Sequence, residues 1–153
     1  KIGQVRRDPF AMLPFIGYNA TDYLAHWLEI GEATDADKLP KIYYVNWFRK
    51  SPEGKFLWPG YGDNSRVLKW IVQRVSGEVG AVETPIGYLP KQEDLDVEGL
   101  DLKPGALDEL LKVDKDGWKA ELESIKEYYA TFGGKLPAEM YAQLEALEKR
   151  VEA

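Results

Sequence analysis

Between residues 41 and 66 the chain carries Tyr43, Tyr44, Trp47, Phe48, Phe56, Trp58 and Tyr61, and that density of rings limits what the segment can become. A strand sends alternate side chains to opposite faces, so one inner sheet face cannot hide this set without a thick core behind it. Some of the rings then face a cleft. A purine is flat and apolar on both faces, and two aromatic side chains bracketing a slot hold one by stacking. Pro59-Gly60-Tyr61-Gly62 is a turn whose glycines let backbone amides approach a ligand edge. Asn64, just beyond it, offers both a donor and an acceptor, which suits it to telling a guanine edge from an adenine edge. The same residues also suit a plain core at the junction of a hairpin and a helix, and their spacing alone leaves both readings open.

The rest of the chain reads as a mixed α/β (α+β) domain that ends in helices. Gly3, Pro9, Pro14 and Gly17 punctuate residues 1–18, which read as loop. Asn19 or Thr21 caps a helix with Tyr23, Leu24, Trp27, Leu28 and Ile30 on one face, and Gly31 begins its end. Residues 41–48, KIYYVNWF, read as a buried strand, with a turn at 51–54 and a short return strand at 55–58. Asn64 or Ser65 caps a second helix bearing Val67, Leu68, Ile71, Val72 and Val75, which Gly77 stops. A short strand is expected at 79–82. Pro104 suits the first helical position ahead of Leu107, Leu110 and Leu111. Trp118, Leu122, Ile125, Tyr129 and Phe132 recur at helical spacing before Gly133-Gly134. Met140, Leu144, Leu147 and Val151 do so after Pro137. These two helices read as an antiparallel hairpin with a short loop.

Composition narrows the function class. A chain of 153 residues with 44% hydrophobic and 30% charged residues matches one soluble globular domain. It has no apolar run long enough to span a bilayer. It has no cysteine, which removes disulfides and thiolate metal sites and fits a reducing, cytoplasmic compartment. Residues 1–76 carry a net charge of +3, and residues 77–153 a net charge of −9. A mildly basic, aromatic-rich half suits a planar anionic ligand, while the acidic half reads as a solvated helical support. Glu121, Glu123 and Glu127 alternate with Lys119 and Lys126, as on a solvated helix face. No nucleic-acid or membrane partner is expected. The single histidine, His26, has no neighbouring carboxylate or histidine cluster, so it reads as structural and no metal site is assigned. The start, KIGQVRRDPF, lacks a methionine and reads as a boundary within a longer polypeptide.

Taken in order, RRDPFAMLPFIGYN, YLAHWL, LPKIYYVNWFRKSPEGKFLWPGYGDNSRVLKW and TPIGYLP resemble the C-terminal part of GTP-dependent phosphoenolpyruvate carboxykinases, with an actinobacterial cast. The resemblance is strongest over residues 6–90. It implies that residues 1–153 are the C-terminal segment of the nucleotide-binding domain. Residues 1–7 would be the end of a mobile lid, 41–66 the guanine-binding segment and 104–153 the helical end. By position, Phe48 and Tyr61 sandwich the base, Phe56 closes the edge, Asn64 reads it, and Trp47 is a pocket neighbour. Tyr61 stands where phenylalanine is common. Phe15 matches a residue near the carboxylate substrate. The family converts oxaloacetate and GTP to phosphoenolpyruvate, CO2 and GDP with Mn2+ and Mg2+, and the resemblance implies a monomer.

This chain has no G-x-x-x-x-G-K-[ST] pattern and no metal cluster. Catalytic residues and metal ligands are therefore expected upstream, with the chain inactive by itself. The individual roles of Arg6, Arg7, Arg49 and Arg66 stay open; Arg49 through Pro52 reads as a solvated turn or a phosphate neighbour, and Arg66 as a helix-start residue or a ligand contact. A stand-alone purine-nucleotide module and a purely structural domain are the rival readings.

Overall fold

The computed structural model describes residues 7–8 and 11–153. They divide into two units, Lys1–Pro40 with Lys115–Ala153, and Lys41–Asp114.

The first unit is helical. Helix α1 spans Ala20–Glu32. Asn19 is its cap: the side-chain oxygen accepts from the Thr21 backbone N–H at 3.1 Å and from the Thr21 hydroxyl at 2.9 Å, satisfying one of the free amides of the first turn. Tyr23, Leu24 and Trp27 line a small apolar cavity with Leu13, Ile16, Tyr128 and Phe132. Ile30 is exposed, so it falls outside the expected face. Helices α4 (Lys115–Ala130) and α5 (Ala138–Glu152) form the expected hairpin. Lys126 donates to Glu148 at 2.8 Å, and Tyr129 packs edge-on against Tyr141 at 5.8 Å. Rising positions in α4 thus meet falling positions in α5, which makes the pair antiparallel. Leu122, Leu144 and Val151 form its buried centre, with Trp118, Ile125, Tyr129 and Leu147 packed around them. Fully burying each such side chain contributes about 1.5–3 kcal/mol. Gly133 and Gly134 both take positive φ, 58° and 77°, and so form the turn that brings the chain back.

The acidic face of α4 is solvated as expected, with Glu121, Glu123 and Glu127 all exposed, and ion pairs cross it. Lys126 bridges Glu123 and Glu148, and Arg7 bonds Glu121 at 3.1 Å and also the Ser124 hydroxyl. The remaining residues of the expected lid end, 1–6, lie outside the described residues.

Alkali should loosen this hairpin. Burial, helped by the nearby Asp8 carboxylate, raises the Tyr128 phenol above its ordinary 10.0, and burial raises Tyr129 likewise. Hydrogen bonds to Glu148 and then Glu123 raise Lys126. A group with a raised folded-state pKa gives its full stabilisation below its unfolded pKa and loses it as pH climbs through the folded value. Helix content should therefore hold steady below about pH 10 and fall above it. Helicity that begins to fall well below about pH 10, or that survives full ionisation of the tyrosines, would mean that these groups do not link the hairpin to pH.

In the second unit the sequence reading needs four corrections. Residues 41–48 form no strand: no described backbone pairs with them, and Tyr44 is 97% exposed. β-Prone side chains do not make a strand without a partner ladder. Tyr43 docks edge-on against the buried Trp70 of α2 at 6.0 Å. The expected strand at 79–82 instead begins at Val82, as β1 (Val82–Thr84) pairs antiparallel with β2 (Gly87–Leu89) in the register Val82↔Leu89. The Thr84 hydroxyl closes that turn by donating to the Gly87 carbonyl at 2.6 Å.

The third correction is that Pro104 does not open α3 (Ala106–Leu111). Lys103-Pro104-Gly105-Ala106 is a turn closed by the Ala106 N–H to the Lys103 carbonyl at 3.0 Å, with Gly105 at φ 77°, ψ −2°. Proline followed by a left-handed glycine is the type II turn pair, and it overrides the helix-start preference. Fourth, α2 spans Asn64–Val75 with Asp63 at the cap position and no side-chain capping bond. Neither Asn64 nor Ser65 caps it. Its Leu68, Val72 and Val75 are exposed and Trp70 is buried, so the expected apolar stripe is not the inward face within this unit.

Candidate functional site

The site grows from a hairpin. Leu57 N–H donates to the Arg49 carbonyl at 3.0 Å, Ser51 N–H to Lys55 at 2.8 Å, and Gly54 N–H to Ser51 at 2.9 Å. The expected return strand is thereby reduced to one antiparallel bridge, Lys50↔Phe56. Arg49 anchors the hairpin: one guanidinium nitrogen donates to the carbonyls of Leu110 and Lys112 at 3.0 and 2.8 Å. These carbonyls end α3, where free acceptors favour a cation. Arg49 is thus neither a solvated turn residue nor a free phosphate ligand.

The anchored hairpin presents two rings. Phe48 and Phe56 meet edge to face, with centroids 6.2 Å apart and planes at 60°. Lys50 Nζ sits 5.0 Å from the Phe56 centroid, a cation–π contact that helps hold that ring. The Asn46 side chain accepts from the Phe48 N–H at 2.9 Å, a local turn device that fixes the backbone carrying Phe48. Phe48 is 72% exposed, Phe56 58% and Tyr61 97%. Rings this open are not part of the core of their own unit. Trp47 is partly buried and lines an apolar cavity with Trp58, Val67 and Leu95.

The glycine loop does what its residues suggest. Gly60 takes φ 108°, ψ −146°, a region open to glycine almost alone, and leads into the short 3-10 turn Tyr61–Asp63. Asn64 follows as the first residue of α2. Its carboxamide oxygen accepts from the Trp58 indole N–H at 3.0 Å. Arg66 is engaged in the structure: it bonds Asp63 at 3.1 Å and both the carbonyl and carboxylate of Asp96 at 2.9 and 3.2 Å. Lys69 shares Asp96 at 2.8 Å, and this contact leads those that hold the Asp96 carboxyl below its usual range.

The structure therefore gathers Phe48 with Phe56 on one hairpin and sets Tyr61 and Asn64 on the loop and helix start of the same unit. Phe15 is exposed at the end of a 3-10 turn in the other unit, and His26 is exposed on α1. Among the described residues no group of three or more His, Asp or Glu side chains is placed to hold a metal ion. No helix among them is long and apolar enough to cross a membrane. Asn46 and Trp58 are the contributors that sequence reasoning passed over. The first had a signal, an Asn two residues ahead of the ring it fixes. The second had none, since an aromatic among aromatics does not announce its hydrogen bond.

The family model described as phosphoenolpyruvate carboxykinase C-terminal P-loop domain matches residues 1–150. The chain is 55% identical over 150 residues to the protein of Renibacterium salmoninarum named phosphoenolpyruvate carboxykinase (GTP). It is 51% identical over 150 residues to that of Paenarthrobacter aurescens, and 55% identical over 152 to that of Treponema pallidum. These alignments cover 98–99% of this chain but 25% of each relative, so the chain spans about a quarter of the length of the curated relatives it matches. With a family match running through nearly every residue, including the hairpin, the glycine loop and the helical end, this chain belongs to the phosphoenolpyruvate carboxykinase C-terminal P-loop domain family.

Proposed function

We propose that this segment recognises the guanine base in a GTP-dependent phosphoenolpyruvate carboxykinase, which converts oxaloacetate and GTP to phosphoenolpyruvate, CO2 and GDP. The observation that carries the reading is the set of three solvent-facing rings, Phe48, Phe56 and Tyr61, in the same unit as an asparagine held at the start of α2. In this reading residues 41–66 are the guanine-binding segment. Phe48 and Tyr61 are the walls of the base slot, Phe56 its edge, Asn64 the reader and Trp47 the support behind. Phe15 faces the carboxylate substrate, and residues 1–7 end a lid. The hairpin and loop bind and orient the base; in phosphoryl transfer such positioning carries much of the catalysis.

The described residues do not suit Mn2+ or Mg2+ by their donor set, and the sequence has no G-x-x-x-x-G-K-[ST] phosphate loop. Metal ligands, phosphate cradle and catalytic groups thus belong to other parts of the polypeptide, and this quarter by itself has no turnover. The exposed Ile42, Tyr44, Leu68, Val72 and Val75 form the apolar surface on which those parts pack, because a single soluble unit rarely leaves so much large apolar area open. The whole enzyme acts as a cytoplasmic monomer.

Base choice at Asn64 tests the reading. Guanine presents the O6 acceptor where adenine presents an amino donor, and a site built for one leaves unpaired groups with the other. In the intact polypeptide, Asn64→Ala should weaken GTP and spare ATP, narrowing the GTP/ATP affinity ratio by roughly tenfold, as for one lost hydrogen bond. An intact ratio in a folded variant removes Asn64 from the specificity site.

A further inference from the structure

We propose that Trp58 sets base choice indirectly, by fixing which end of the Asn64 carboxamide is left for the ligand. This inference rests on the guanine-recognition reading above. An asparagine side chain has an oxygen that accepts and an NH2 that donates, and the two ends exchange places by a half-turn of the amide. A freely turning amide offers a donor to guanine O6 in one pose and an acceptor to the adenine amine in the other. It discriminates poorly.

Trp58 removes that freedom. Its indole N–H donates to Asn64 Oδ1 at 3.0 Å. Indole is a donor only, so it can be satisfied by the oxygen and never by the NH2. The indole cannot easily follow a turning amide either. Trp58 is 6% exposed, and its ring lines the apolar interior of its unit with Trp47, Val67, Leu95 and Leu107. Turning the amide would place two donors face to face and leave a buried N–H without a partner, a cost well above that of an ordinary exposed hydrogen bond.

Asp63, the residue before Asn64, is tied back into the unit: its Oδ1 accepts from Arg66 Nε at 3.1 Å, and Arg66 is itself held by Asp96. With its oxygen engaged by the indole, Asn64 presents its NH2, a donor, at the start of α2. That arrangement suits a 6-oxopurine, whose O6 accepts, and opposes a 6-aminopurine. Trp58 is therefore a positioning residue that acts through Asn64.

The test uses the intact polypeptide with Trp58→Phe, and in parallel with 3-benzothienylalanine at position 58, which keeps the indole shape but has no N–H. Affinities for GTP, inosine triphosphate and ATP are measured in each, alone and combined with Asn64→Ala. Loss of the donor should lower the GTP/ATP and inosine triphosphate/ATP ratios together, roughly three- to tenfold. In the Asn64→Ala background it should produce no further change in either ratio. Three results overturn the proposal: ratios that hold although Asn64→Ala alone narrows them, an equal loss for all three nucleotides, or an undiminished effect when Asn64 is already alanine. If Asn64→Ala alone leaves the ratio intact, the reading of Asn64 fails first and takes this inference with it. The isostere keeps the test valid should Trp58→Phe fail to fold.

Discussion

Leu122→Ala is expected to cost about 2–5 kcal/mol, the loss seen when a large aliphatic side chain is cut back inside a packed core. Leu122 is 2% exposed and sits with Leu144 and the fully buried Val151 at the centre of the α4–α5 hairpin. Rings flank it at Trp118 and Tyr129, and rigid rings close poorly over a cavity, which favours the upper part of that range. Amide exchange of α4 and α5 in the intact polypeptide should then accelerate roughly 30-fold or more. Guanine affinity should change little in a variant that stays folded, because Phe48, Phe56 and Asn64 belong to the other unit. Unchanged exchange would mean that the hairpin's stability does not reside in this cluster.

The hairpin was legible in the sequence because its information is local. Trp118, Leu122, Ile125 and Tyr129 return to one face within two turns of helix, and Gly133-Gly134 supplies the reversal a few residues later. Nothing distant has to be known. Residues 41–48 show the opposite case. Their β-branched and aromatic content describes a surface suited to a ladder, but a ladder needs a second backbone, and the described residues offer none. Pro104 misled in a different way, since proline opens helices and type II turns alike and Gly105 decided between them.

At the site, the presence of surplus rings was legible, since seven aromatics in one short segment exceed what a small core absorbs. Their division was not. Trp58 and Phe56 are two residues apart and point to one face by alternation, yet one is buried and the other open. The chain bends at Leu57 and Trp58, directly after the single bridge at Phe56, so strand alternation does not carry through to Trp58. The loop's chemistry is therefore written in residue types, while the burial of each ring depends on tertiary packing.

Phe48→Ala should weaken nucleotide binding by about 1–3 kcal/mol, the usual worth of one base stacked on an aromatic ring. GTP and inosine triphosphate should lose alike, because both present the same kind of purine face and stacking is indifferent to the edge. In the proposed site this separates wall from reader: removal of Asn64 is expected to change the ratio between bases, and removal of Phe48 to lower every purine together. Stability gives the second discriminant. Phe48 is 72% exposed and touches Phe56 only edge to face, so its loss opens no cavity and should cost about 1 kcal/mol or less. A large affinity loss with a small shift in the unfolding midpoint is the pattern of a ligand-facing wall. Were the unfolding midpoint to fall by a core-sized amount while affinity held, Phe48 would be packing material and the base would stack elsewhere. Phe56→Ala sharpens the comparison. Phe56 carries the Lys50 cation–π contact in addition to the ring contact it shares with Phe48, so its removal should loosen the turn more and the base less than removal of Phe48. The order of the two variants in affinity, set against their order in stability, then tells wall from edge.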